Sequence, residues 1–194
     1  MNNKGLLLII SGPSGAGKGT ICNALLEKYP QEYALSISAT SRSPRGEEQD
    51  GREYFFKTVE EFEEMIDLDL LLEHARYVNN YYGTPRTWVE EKLQEGINVI
   101  LEIDYQGGFQ VKEKLQDVLM IFIMPPSIEE LISRLTGRGT ESPEQIIQRV
   151  KKAEEEMLIA EQYDYIIVNE DIEKSVEMLH NIISYEKKKR TERS

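Results

Sequence analysis

Apolar residues in this chain fall into short continuous runs, separated by longer stretches in which apolar positions recur every three or four residues. The clearest runs cover residues 6–10, 98–103, 118–124 and 165–168. Strands buried on both faces read as continuous apolar runs, and helical spacing between them indicates crossover helices. The alternation therefore predicts an α/β fold with a parallel sheet flanked by helices.

The segment from about residue 38 to residue 86 departs from this alternation, because its strand-like stretches lie close together around a single short helix. Thr58 and Glu61 form a capping box at the start of that helix. Residues 70–78 read as a strand or a strand pair, and residues 79–85 read as a turn. We therefore expect an antiparallel insert that projects from the parallel core.

The region after residue 126 carries two helix-start signals. Ser127 with Glu130 is one capping pattern, and a second pattern predicts a long charged helix over residues 142–162. The charged run at residues 186–194 reads as a frayed, solvated helix end.

We interpret the chain as one domain in three parts, since no low-complexity linker interrupts it. The parts are a core of residues 1–37, 88–125 and 163–194, an insert of residues 38–87 and a helical lid of residues 126–162.

Composition narrows the classes of partner. The chain has 194 residues, 40% of them hydrophobic, which suits a compact domain with a real core. The formal net charge is -12, so we expect neither a nucleic-acid nor a membrane partner. Cys22 is the only cysteine, which excludes an intrachain disulfide. The start of the chain resembles neither a signal peptide nor a membrane span, so we expect a cytoplasmic protein, and a homo-oligomer stays open.

Candidate chemistry begins directly after the first apolar run. Gly12, Gly17 and Lys18 meet the pattern G-x-x-x-x-G-K between a predicted strand and a predicted helix, the setting of a phosphate-binding loop. Backbone N–H groups and the positive helix end would cradle a phosphate, and Lys18 would follow the transferring phosphoryl group. The predicted phosphate-binding loop consists of Gly12, Pro13, Ser14, Gly15, Ala16, Gly17, Lys18, Gly19 and Thr20.

One position departs from the usual loop. Gly19 follows the lysine where a Ser or Thr normally binds Mg²⁺, and Thr20 comes one place later. A Gly-Thr pair also occurs here in some nucleoside monophosphate kinases. The direct protein ligand of the metal therefore stays open, with Thr20 as the candidate.

The chain's ten arginines are unevenly distributed, and eight of them fall either in the insert or between residues 134 and 149. Arginine offers a planar fork suited to bidentate phosphate contacts. Two arginine groups outside the phosphate loop of an acidic protein indicate two phosphate-bearing ligands, or one such ligand and its reacting partner. A surface ion pair explains most single arginines, whereas for Arg42, Arg45 and Arg138 we favour a functional role.

With these residues in view, the chain resembles guanylate kinases along nearly its whole length. The phosphate loop alone is shared by many NTPases, and the insert motifs in this order are far more specific. The matching segments are residues 12–18, 38–45, 50–54, 80–84, 102–107 and 138–141. Ser41 stands where the family often has Thr, and Gly46-Glu47 replaces a common Pro-Gly.

The resemblance implies transfer of the ATP γ-phosphoryl group to GMP or dGMP, with ATP and the monophosphate as partners and Mg²⁺ carried by ATP. It implies that the GMP phosphate is held by Arg42, Arg45, Tyr54 and Tyr82. It implies that guanine is read by Ser38, Glu73 and Thr84, with Asp104 close by at the reacting phosphates. The implied catalytic residues are Lys18, Arg42, Asp104, Arg138 and Arg149. Arg134 and Asn169 are implied on the ATP side, with Asn169 beside the adenine.

Two alternatives remain at this point. Adenylate kinase can share the Gly-Lys-Gly-Thr loop, although residues 80–84 and the paired Arg42 and Arg45 argue against it. A non-catalytic guanylate-kinase-like module would bind a protein ligand in the GMP cleft, but such modules typically lose the phosphate loop and the lid arginines that this chain keeps.

Overall fold

A computed structural model of the protein describes residues 4–137 and 142–193. The strands and α-helices within these ranges follow one another as β1 (Leu7–Ser11), α1 (Lys18–Lys28), β2 (Tyr33–Leu35), β3 (Ala39–Thr40), β4 (Phe55–Phe56), α2 (Val59–Asp67), β5 (Leu71–Tyr77), β6 (Asn80–Pro85), α3 (Arg86–Gln94), β7 (Asn98–Glu102), α4 (Tyr105–Lys114), β8 (Val118–Met124), α5 (Ile128–Thr136), α6 (Pro143–Met157), β9 (Tyr165–Val168) and α7 (Ile172–Arg193).

The core is a five-stranded sheet in the order β2-β7-β1-β8-β9, and every pairing in it is parallel. Strand β1 lies at the centre, so the loop that follows it leaves from the middle of the sheet. The predicted α/β class is confirmed. A loop at the carboxyl end of a central parallel strand stands where open α/β sheets bind their ligands.

Both faces of this sheet are buried, which explains the continuous apolar runs of its strands. Leu8 and Ile10 of β1 pack with residues of α1 and α7, while Leu7 and Ile9 pack on the other face with α3 and α4. Cys22 is buried on α1, within the first of these two clusters.

The insert forms a second sheet in the order β4-β3-β6-β5. Strands β3, β6 and β5 pair antiparallel as expected, whereas β4 pairs parallel with β3. Helix α2 covers this sheet and begins at the predicted capping box of Thr58 and Glu61. Its Phe62 is fully buried and stacks on Tyr81 with ring centroids 5.2 Å apart.

The turn expected over residues 79–85 is wrong. Asn80–Pro85 is strand β6, and the turn before it is confined to Val78 and Asn79, whose φ angles of 52° and 129° reverse the chain. Asn, Gly and Pro favour turns locally, but hydrogen bonding between two neighbouring strands outweighs that preference here.

The lid packs α5 against α6 through Leu131, Leu135 and Ala153. The helix expected over residues 142–162 begins at the predicted cap but ends earlier, at Met157. A short 3-10 helix, Ala160–Gln162, then leads into β9.

The last helix, α7, extends to Arg193. Its Glu186 is buried and accepts a hydrogen bond of 2.9 Å from the Tyr165 hydroxyl, so the expected solvated end is wrong at this residue. Among the residues that the structure describes, no helix has the length and apolar character needed to cross a membrane.

Candidate active site

The loop between β1 and α1 is packed too closely for side chains at its glycines. Gly15 has φ 93°, and a Cβ there would lie 2.7 Å from Cδ1 of Leu131 on α5. Gly17 has φ 94°, and a Cβ there would lie 2.3 Å from Nδ2 of Asn169. The left-handed backbone and the close contacts both require glycine.

The loop leads into a helix end suited to an anion. Helix α1 begins at Lys18, no side chain caps its N-terminus, and its first turn contains no acidic residue. Backbone N–H groups at such an end attract negative charge. The Lys18 ammonium donates to the carbonyl oxygens of Gly12 at 2.6 Å and Pro13 at 3.1 Å, which keeps the positive charge on the loop.

Two predicted ATP-side residues, Asn169 and Arg134, hold this loop in place by hydrogen bonds. Asn169 is buried, and its Nδ2 donates to the Ala16 carbonyl oxygen at 2.8 Å. Its Oδ1 accepts from the Ser175 hydroxyl at 3.2 Å, which fixes the orientation of the amide. Arg134 donates to the Asn169 carbonyl oxygen at 3.0 Å and to that of Ala16 at 3.4 Å. The loop is therefore tied to α5 and to the end of β9.

A cavity of about 300 Å³ lies between the insert and the carboxyl end of β7. Five of the predicted GMP-side residues line it, namely Ser38, Tyr54, Glu73, Tyr82 and Asp104. The rings of the two tyrosines meet edge to face with centroids 6.1 Å apart. The cavity thus joins a carboxylate floor to an aromatic wall.

The carboxylate floor is centred on Glu73, which is 6% exposed. The buried Thr84 hydroxyl donates to its Oε1 at 2.7 Å. Burial raises the pKa of Glu73, the negative charge of Asp104 raises it further, and the Thr84 hydrogen bond opposes both effects. A Cβ on Gly107 would lie 3.1 Å from Oε2, so α4 approaches the carboxylate closely.

At the aromatic wall, Arg42 is held in a fixed position. It is 9% exposed, and its two terminal nitrogens donate to Glu48 at 2.9 and 3.0 Å. Its guanidinium carbon lies 5.3 Å from the Tyr54 ring centroid and 5.9 Å from that of Phe56. The Arg42 hydrogen bonds lower the pKa of Glu48, with a contribution from the Arg45 backbone N–H.

The lid reaches the phosphate loop through Arg149, which donates to the Ser14 hydroxyl. Around this contact lies a second cavity, of about 390 Å³, whose wall includes Tyr77 from the insert. Arg138, another predicted lid arginine, lies outside the described residues.

This geometry combines an anion-binding loop, a buried carboxylate in a nearby cavity and an arginine-bearing lid. A family model described as guanylate kinase matches residues 4–186. The chain belongs to the guanylate kinase family.

Individual guanylate kinases resemble this chain over nearly its full length. The guanylate kinase of Caldanaerobacter subterraneus subsp. tengcongensis is 52% identical over 187 residues, which cover 96% of this chain and 90% of that protein. That of Streptococcus pneumoniae is 48% identical over 186 residues, or 96% and 89% of the two chains. A crystal structure of guanylate kinase from Anaplasma phagocytophilum superposes with a TM-score of 0.72 at 38% identity, covering 95% of this chain and 87% of that one. The comparisons favour neither alternative considered above.

Three further residues implied by the guanylate kinase resemblance are Arg45, Asp104 and Thr20. Arg45 is exposed, and its backbone N–H donates to Glu48 at 2.8 Å. Asp104 accepts from the Gly107 N–H at 2.9 Å and so caps α4 while lining the cavity. Thr20 is an exposed residue in the first turn of α1. Their roles in nucleotide binding stay predictions.

Two carboxylates that the sequence analysis did not assign to the site lie next to predicted site residues. Glu48 holds Arg42, and the sequence signal was a carboxylate three residues after Arg45. Glu102 ends β7, and a Cβ on Gly19 would lie 3.5 Å from both of its oxygens. Its signal was an acidic residue at the end of a buried run, opposite a loop that lacks the usual hydroxyl.

Proposed function

We propose that this protein catalyses transfer of the γ-phosphoryl group of ATP to GMP or dGMP, giving ADP and GDP or dGDP. The observation that carries the proposal is the buried Glu73 carboxylate, held by Thr84 in a cavity beside the phosphate loop. The names of the relatives support the same reaction.

Guanine suits the Glu73 carboxylate because its N1–H and 2-amino groups are adjacent donors that one carboxylate can accept together. Adenine presents an acceptor at N1 and would face the carboxylate without a proton between them. A site built to pair with a particular donor rejects the analogue that lacks it, because the buried group is then left unpaired. Ser38 lines the same cavity and would complete the base site, whereas Asp104, which also lines it, would act at the reacting phosphates.

The GMP phosphate would bind to Arg42 and Arg45, with the hydroxyls of Tyr54 and Tyr82 beside them. Arg42 is already fixed by Glu48 and by the ring of Tyr54, so little side-chain freedom is lost when the phosphate arrives. The phosphate is itself the nucleophile and is largely ionised at neutral pH. No strong general base is required, and positioning with charge neutralisation carries the reaction.

On the ATP side, the loop N–H groups and Lys18 would bind the phosphates. Arg134 and Asn169 support the loop, and Asn169 would also lie beside the adenine. Arg149 contacts the loop from the lid. Arg138 would be delivered from the same lid to the γ-phosphoryl group, where its charge stabilises the transition state.

Mg²⁺ would enter with ATP. Within the described ranges no cluster of three metal-ligating side chains occurs, and Mg²⁺ typically binds through one or two carboxylates, water and substrate phosphates. The residues present fit this pattern, because the Glu102 carboxylate faces Gly19 at the start of α1. Glu102, Asp104 or Thr20 would hold the ion, directly or through water. When bound, the ion neutralises charge on the phosphates.

We further propose that the protein acts in the cytoplasm, where both nucleotides are available. The net charge of -12 disfavours nucleic acid and anionic membranes as partners. Formation of a homo-oligomer stays a prediction, and sedimentation of the purified protein would test it.

A coupled assay for ADP formation tests the reaction, with GMP, dGMP, AMP, CMP and UMP supplied in turn. We expect turnover with the two guanine nucleotides and little with the others. Turnover with AMP in preference to GMP would refute the base assignment. Binding of nucleotides without ADP formation would instead favour a non-catalytic binding module.

A further inference from the structure

Helix α6 of the lid presents two different faces. Arg149, Lys152 and Glu156 are spaced by three and four residues, so they share one face of the helix. That face, together with Ser14 of the phosphate loop and Tyr77 of the insert, lines the cavity of about 390 Å³ described above.

The opposite face of α6 carries similar charges but points elsewhere. Lys151 and Glu154 line a separate outer groove with Ile146, Ile147 and Val150. Two neighbouring lysines on one helix therefore have different surroundings, since only Lys152 shares a cavity with the phosphate loop. The two lysines carry the same charge and differ in the cavity that they line.

Lys152 forms an ion pair with Glu156, one helical turn later on α6. Lys152 Nζ lies 3.5 Å from Oε1 of Glu156, and the side chains are 69% and 13% exposed respectively. The nearly enclosed carboxylate thus holds an otherwise solvated ammonium group toward the cleft. The ion pair occupies the last turns of α6, just before the helix ends at Met157.

Electrostatic effects connect this pair to the reaction centre. Burial raises the pKa of Glu156, while the positive charges of Lys152 and Lys18 lower it and the charge of Asp104 raises it. The carboxylate therefore lies within electrostatic reach of both the phosphate-loop lysine and the GMP cavity. A phosphate chain that spans the two sites would pass close to Lys152.

We propose that Lys152 is an additional phosphate-binding cation of the lid and that Glu156 is a positioning residue that holds it toward the cleft. The ligand class is the phosphate chain of the bound nucleotides. The inference deepens the proposed function and rests on it. Lysine suits this position because its flexible, rotatable ammonium group can follow phosphate oxygens as the lid closes.

Lys152→Ala tests the cation, with Lys151→Ala as the matched control on the other face. We expect Lys152→Ala to lower kcat/KM about three- to tenfold, the range for losing a partly exposed charged contact. Lys151→Ala should stay within about twofold of wild type. Lys152→Arg should recover most of the activity, because it keeps the charge.

A titration separates binding from chemistry. A non-hydrolysable ATP analogue, added in the presence of GMP, should bind Lys152→Ala several-fold more weakly than Lys151→Ala. If both variants match wild type in affinity and in kcat/KM, the role of Lys152 is refuted. If wild type itself forms no ADP from ATP and GMP, the proposed function fails, and the titration still reports on Lys152.

A double-mutant cycle tests Glu156, with Glu154→Gln as its control. If Glu156 acts through Lys152, Glu156→Gln should lower kcat/KM in wild type but have little further effect in the Lys152→Ala background. An equal effect in both backgrounds would refute the positioning role. So would a Glu156→Gln variant that lowers the melting temperature but leaves kcat/KM unchanged.

Discussion

The phosphate loop and the insert differ in the chemical groups that they offer to a ligand. The loop is built from backbone, is anchored in the five-stranded core, and is held by the buried Asn169. The insert instead offers side chains, carried on a small sheet whose buried apolar cluster centres on Ala39, Phe62 and Leu71. Loss of a side chain that supports the loop backbone should therefore affect catalysis and stability together, whereas changes to the insert should alter selectivity more than stability.

The largest effect is expected at Lys18, whose positive charge we propose acts on the transferring phosphoryl group. Lys18→Ala should reduce kcat by about two to three orders of magnitude, on the order of 3–4 kcal/mol, as found for donors that act mainly in the transition state. The melting temperature should change little. The coupled ADP assay measures the loss, and Lys28→Ala, at the far end of α1, is the control. A Lys18→Ala enzyme near wild-type activity would remove the loop from the mechanism.

Asn169 tests the claim that the loop depends on its support. Asn169→Ala removes the 2.8 Å hydrogen bond to the buried Ala16 carbonyl oxygen and the partner of Ser175. We expect a loss of about 1–3 kcal/mol in the free energy of unfolding, the cost of leaving buried polar groups unpaired. Denaturant melts measure it, and ATP affinity should fall in parallel. Weaker ATP binding at unchanged stability would mean that Asn169 contacts only the nucleotide.

Glu73 tests the insert, and here we expect the substitution to increase stability rather than to lower it. Glu73→Gln should weaken selection of GMP over AMP by about 1–3 kcal/mol, the scale of one charged hydrogen bond. It should also raise the melting temperature at neutral pH, because burial of the charged carboxylate, which raises its pKa, is unfavourable to the fold.

The pH dependence gives the sign of this effect. A carboxyl whose folded pKa is raised binds a proton more tightly in the folded state, so its penalty is complete above the folded pKa and vanishes below the unfolded pKa. The stability difference between Glu73→Gln and wild type should therefore shrink as the pH falls through that window. A difference that stays constant with pH would contradict the assignment of the cost to the ionised Glu73.

Local signals explain why the loop was predictable from sequence and parts of the insert were not. The glycine and lysine spacing of residues 12–18 and the capping box at Thr58 involve neighbours along the chain, and both are found as predicted. Strand Asn80–Pro85 depends on pairing with another strand, so its turn-like composition misled the prediction. The Glu48 contact with Arg42 and the support of Ala16 by Asn169 likewise need the folded chain to bring partners together.

The smallest effect is expected at Glu48, which tests whether this carboxylate positions Arg42. Glu48→Gln keeps the shape of the side chain but removes the charge that receives both terminal nitrogens of Arg42. Arg42 would still lie over Tyr54, so we expect the KM for GMP to rise only about two- to fivefold, with kcat nearly unchanged, as for other partly exposed ion pairs. Glu47→Gln is the neighbouring control. A fall in the KM for GMP would show that Glu48 competes with the phosphate for Arg42 and would reverse the positioning role given to it here.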